Sequence, residues 1–105
     1  FGKSLYSMRK NAPAQIRHIQ DGLSANCFAD YYTRGTLELK MRELITFTVI
    51  CAIGGCEPQA PAHAKASLNV GNTKQTLIET VTTCLPYIGY PRALNALSCI
   101  DNACK

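Results

Sequence analysis

The stretch Leu37–Ile53, LELKMRELITFTVICAI, decides the fold. Its charges, Glu38, Lys40, Arg42 and Glu43, all fall in the first half, and the second half is apolar nearly all round. A helix of that make-up is expected to be buried rather than to lie on a surface. Ile45, Thr46, Thr48, Val49, Ile50 and Ile53 are β-branched and would suit a strand, yet 17 residues without a turn signal favour a helix. Gly54-Gly55 ends it.

Outward from that helix the punctuation stays helical. Cys56-Glu57-Pro58-Gln59 reads as a tight connection, and a further helix runs to Val70, with Pro61 tolerated in its first turn and Gly71 as its left-handed end. Asn72 or Thr73 caps the next helix, Asn72 with Gln75 as a capping-box partner. Leu77, Ile78, Val81 and Leu85 form its apolar stripe until Pro86. Gly89 and Tyr90 make a corner, and Pro91 opens a last helix whose expected core face is Leu94, Leu97, Ser98 and Ile100. On the other side, Pro13 opens an amphipathic helix through Ile16, Ile19 and Leu23, and a short one follows from Ser24 to Tyr32, broken by Gly35. The chain reads as all-α, with no hairpin signal and no internal repeat.

Composition narrows the function classes. The 105 residues make one small domain, and 47% hydrophobic against 17% charged residues disfavours disorder and points to surface covered by another subunit. The net charge of +4 is scattered singly apart from Arg9-Lys10, which disfavours nucleic-acid binding. The longest apolar stretch, Ile45 to Cys56, falls short of the roughly 20 residues that span a bilayer. Phe1 is not an initiator, so the expectation is a trimmed or processed piece of a longer product, with an upstream signal peptide left open. Six cysteines, at 27, 51, 56, 84, 99 and 104, fall mostly inside helical patterns and read as buried free thiols of a reducing cytoplasm. There is no Cys-x-x-Cys and no Cys/His zinc spacing, so neither a metal nor a cofactor is expected.

Three residues could carry chemistry. Glu43 borders the apolar half of its helix, where desolvation raises a carboxyl towards the range useful for proton transfer, unless an ion pair offsets it. His63 sits on a helix of small residues, Ala60, Ala62, Ala64, Ala66 and Ser67, that can approach another helix closely, and imidazole is the natural proton shuttle at neutral pH. Cys56 precedes that helix, where its dipole could favour a thiolate. Each has a plainer structural reading: an ion pair, a satisfied core histidine, an inert small hydrophobe.

The runs Leu39-Lys40-Met41-Arg42-Glu43-Leu44-Ile45-Thr46, Pro58-Gln59 with His63, Ala66-Ser67-Leu68-Asn69-Val70-Gly71-Asn72-Thr73, and Tyr87-Ile88-Gly89-Tyr90-Pro91-Arg92-Ala93-Leu94-Asn95-Ala96-Leu97 resemble the carboxymuconolactone decarboxylase family over roughly residues 24–103. The resemblance implies an all-helical, alkylhydroperoxidase D-like fold of about six helices, built around a helical hairpin. It also implies assembly as homotrimers or hexamers with active sites near subunit contacts. One branch of the family removes CO₂ from a lactone carboxylate; the other reduces peroxides through a Cys-x-x-Cys-x-x-x-His centre. Here that centre is broken, because Cys56 is present but the second cysteine position is Gln59. Cys51 is a conceivable substitute from the preceding helix. The decarboxylase-type pair, Glu43 and His63, is intact, and Arg42 is a candidate for binding a substrate anion. The reading is therefore a cytoplasmic homo-oligomeric enzyme using Glu43 and His63 on a small carboxylated lactone or related acid. The alternatives are a thiol-dependent peroxide reductase using Cys56, or a non-catalytic oligomeric ligand-binding module.

Overall fold

In the computed structural model, residues 2–105 are described, and among them all regular structure is helical. The chain divides into two compact units, one up to Leu37 and one from Glu38 to Lys105.

In the first unit α1 (Gly2–Asn11) packs on α2 (Arg17–Gly22), with a 3₁₀ turn at Ala14–Ile16 between them. Arg9 pairs with Asp21, and Arg17 Nη2 donates to the Ala12 carbonyl at 3.1 Å. Pro13 stands just before the 3₁₀ turn, so the expected helix opens there and becomes α at Arg17. No break occurs at Ser24. Gly22 keeps right-handed angles (φ −62°, ψ −42°), and α2 runs straight into a π-helical stretch, Leu23–Tyr31, so two expected helices are continuous. Ile16 and Ile19 are exposed rather than forming a core face. The π-helical stretch ends at Tyr31, four residues before the expected breaker Gly35, and the positive φ of this connection falls on Thr36 (82°).

The second unit is a pair of helical hairpins. In the first, α3 (Leu39–Ile53) packs on α4 (Ala60–Asn69); in the second, α5 (Lys74–Ile88) packs on α6 (Tyr90–Ala103). Contacts of α4 with α6 and of α3 with α5 and α6 join them. Gly54 (φ 79°) and Gly55 (φ 74°) take left-handed angles after α3, as a glycine pair can at little cost. A Cβ at Gly54 would lie 2.8 Å from Nε of the exposed Arg92 side chain, which would have to move aside. The core is built on Phe47, Leu77 and Ile100, none of them exposed, with small residues Ala60, Ala64, Ala93, Ala96 and Cys99 filling the helix crossings.

Four expectations are corrected here. The central helix is not buried all round: Glu43, Phe47 and Cys51 face inward, while Met41, Ile45, Val49 and Ile53 form an outward stripe 42–63% exposed. The inward face of α6 is Ala93, Ala96, Cys99, Ile100 and Ala103, whereas Leu94 and Ser98 are exposed, because close packing on the alanines of α4 selects small residues. Pro86 does not end α5, which continues to Ile88. The backbone donor that proline lacks would have served the carbonyl of Thr82, a solvent-exposed residue that water can reach. Of the two expected caps of α5 the structure uses Thr73, whose Oγ1 accepts from the Thr76 amide at 3.1 Å; the capping box of Asn72 with Gln75 does not form, and Gln75 donates to Glu79 Oε1 at 2.8 Å.

Candidate functional site

Two helices bring two distant residues together. Glu43 lies on the inward stripe of α3 one turn before Phe47, and only 2% of its side chain is exposed. His63 lies on α4 between the buried Ala60 and Ala64, which let the helices approach closely, and its side chain is 12% exposed. Its Nδ1 meets Glu43 Oε1 at 2.6 Å. Leaving a carboxylate this buried without a partner would cost several kcal/mol, on the order seen for broken buried ion pairs. The imidazole supplies such a partner, and a carboxylate joined to an imidazole in this way has the chemistry to hold a proton.

The hairpin that aligns the pair is pinned from outside it. The Asn72 side chain, buried in the α4–α5 turn, donates from Nδ2 to the Lys40 carbonyl at 3.0 Å, one turn before Glu43. Sequence reasoning treats Asn72 only as a helix cap; the signal for its real role is an amide side chain following the left-handed Gly71 (φ 106°). Arg42, the expected anion binder, is half-buried on the flank of α3 next to Glu43, and its carbonyl accepts from the Thr46 hydroxyl at 2.9 Å.

Cys56 belongs elsewhere. It stands in the α3–α4 connection, its Sγ directed at the Gly54 carbonyl at 3.6 Å, and its own carbonyl accepts from the amides of Gln59 and Ala60 at the start of α4. With Cys51, Cys99, Glu57, Arg92 and Asn95 it lines a narrow cavity of about 10 Å³, room for about one water, that neither Glu43 nor His63 lines. Arg92 Nε donates to the Ile53 carbonyl at 3.3 Å and Asn95 Nδ2 to Glu57 Oε1 at 3.2 Å, clamping the connection onto α6. Burial pushes the Cys51 thiol up to about 12, with the neighbouring Cys99 adding to the effect, and burial likewise raises Cys99. Of the six cysteines only Cys51 and Cys99 are buried, and Cys104 is exposed. Among the described residues no cluster of His, Cys, Asp and Glu could hold a metal ion, and no helix is long and apolar enough to cross a membrane.

Residues 17–102 match the sequence model of the carboxymuconolactone decarboxylase family. Among curated proteins, none matches the chain closely enough to count as a relative.

Proposed function

The chain belongs to the carboxymuconolactone decarboxylase family, and from that premise we propose that it is a decarboxylase-type enzyme in which Glu43 and His63 move a proton on a small carboxylated lactone or related acid. The observation that carries this reading is the 2.6 Å contact between a sealed carboxylate and an imidazole from another helix. Loss of CO₂ breaks a carbon–carbon bond and leaves its electron pair spread into the conjugated lactone, and a carbon of that system must then take up a proton. His63 delivers it from Nε2, while Glu43 holds the ring and stabilises the imidazolium through Nδ1. Arg42, beside Glu43 on α3, is proposed to hold a substrate carboxylate.

The same reading includes a homo-oligomer, trimeric or hexameric, in which the exposed stripe Met41, Ile45, Val49 and Ile53 is covered. A cytoplasmic setting is in keeping with six free thiols. The deciding experiment is turnover of γ-carboxymuconolactone, followed by release of CO₂. His63→Gln and Glu43→Gln are each expected to lower kcat by about 10²–10⁴, with the double variant no worse than the poorer single. Full turnover in both single variants would overturn the assignment.

A second reading, peroxide reduction by Cys56, draws on the cavity it shares with Cys51 and Cys99. Cys56 thiolate would attack a peroxide oxygen, releasing an alcohol and leaving a sulfenic acid. With Gln59 in place of a resolving cysteine, and Cys51 and Cys99 held as neutral thiols by burial, consumption is expected to stop at one peroxide per Cys56. Sustained turnover with a dithiol reductant would promote this reading over the first.

A further inference from the structure

One polar side chain of α4 is sealed from solvent and left without a partner. Ser67 is 0% exposed, and its Oγ makes no hydrogen bond. Elsewhere in this protein helical hydroxyls take the usual local refuge: Thr46, Thr48, Thr80, Thr82 and Thr83 each donate to the carbonyl four residues back. Ser67 forgoes that bond, at a cost on the order of 1–3 kcal/mol for a buried unsatisfied hydroxyl. Alanine, which occupies four of the surrounding positions, 60, 62, 64 and 66, would avoid the cost.

The register of the hairpin says where this hydroxyl lies. His63 meets Glu43, and further along the antiparallel pair Asn72 meets the Lys40 carbonyl. Ser67 stands four residues after His63, and its own carbonyl accepts from the Asn72 amide at 2.9 Å. It therefore occupies the layer between the acid–base pair and the asparagine bridge. Helical residues four apart share a face, with Cβ atoms about 5–6 Å from each other, and helical side chains lean towards the N-terminus, here towards His63.

We propose that Ser67 is a positioning residue for the Glu43–His63 pair, its hydroxyl turning between rotamers to donate to the Glu43 carboxylate. An added donor holds the carboxylate in the orientation in which it meets His63 Nδ1. The inference rests on the proposed function, since it takes the pair as the proton-moving unit.

The test reads the shared proton directly, by NMR of protein labelled with ¹⁵N in its two histidines, with His63→Gln assigning the signals. In Ser67→Ala the His63 Nδ1 proton is expected to shift, to lose part of its coupling to nitrogen, and to exchange with solvent roughly three- to tenfold faster, the equivalent of losing one hydrogen bond. Ser67→Cys, a weaker donor of similar shape, is expected to fall between. An unchanged Nδ1 signal and exchange rate in Ser67→Ala, whatever the change in Tm, would show the hydroxyl to be an idle core group. Glu43→Gln separates the two ideas. If it moves the His63 signal while Ser67→Ala does not, only the serine inference fails; if it leaves the signal in place, the acid–base pair itself is wrong.

Discussion

The middle of the α3–α4 hairpin and the connection at its end hold similar chemistry in opposite states. In the middle, Glu43 and His63 are buried and paired at 2.6 Å. At the end, Cys51 and Cys99 are buried beside Cys56 around a cavity, and burial holds Cys51 and Cys99 protonated. A carboxylate cannot be sealed at low cost without a partner, so its burial demands a specific neighbour. A thiol can be sealed as a neutral group, so its burial demands none. Dependence on a partner sets the hairpin centre apart from the cysteine cavity, where packing tolerates thiols as neutral groups.

The contrast breaks most visibly at His63. His63→Ala takes the imidazole from the buried Glu43 carboxylate and is expected to cost about 3 kcal/mol in urea unfolding at neutral pH, whereas Cys56→Ala should stay within about 0.5 kcal/mol of wild type. Equal costs would remove the distinction. Next in size is Gly54→Ala, which puts a side chain at φ 79° and a Cβ against Arg92 Nε, and is expected to cost about 1–2 kcal/mol by the same measurement. A neutral result would show that the connection is not held by α6.

The pH dependence at Cys51 is smaller. An ordinary thiol ionises near 9, while folded Cys51 resists until about 12, so the folded state binds the proton more tightly. Its contribution is fully present below pH 9 and is lost as pH rises from there towards 12. The urea midpoint of wild type should therefore fall more steeply between pH 8.5 and 10.5, roughly the range over which an unfolded thiol titrates, than that of Cys51→Ala. Identical slopes would mean that Cys51 is not desolvated. The smallest expected effect on monomer stability is at the outward stripe. Ile45→Glu and Val49→Glu should leave Tm of the isolated chain nearly unchanged yet shift light scattering from an oligomer to a monomer near 11.5 kDa. A wild-type protein that is already monomeric at all concentrations would refute the assembly.

The helices from Leu39 onward were legible because their signals are local. Gly54-Gly55, Pro61, Gly71, Gly89 and Pro91 act through their own backbone angles, and the apolar spacing of α5 repeats within a few residues. Local reasoning erred where neighbours intervene. Pro86 reads as a stop, but exposure of the carbonyl end it orphans makes it tolerable in α5; Leu94 reads as core, but α4 accepts only small residues beneath it.

By itself, then, the sequence determined an all-helical chain and the helix ends set by glycine and proline, and it singled out Glu43, His63 and Cys56 as candidates. Only the tertiary structure decided that Glu43 and His63, twenty residues apart, meet at 2.6 Å while Cys56 lines a different cavity. It also decided that one stripe of α3 faces outward, that Asn72 pins Lys40, and that Ser67 is buried with an unused hydroxyl. The division has one physical cause. Backbone angles and helical periodicity are properties of adjacent residues, whereas hydrogen-bond partnership and burial depend on which faces meet when helices pack.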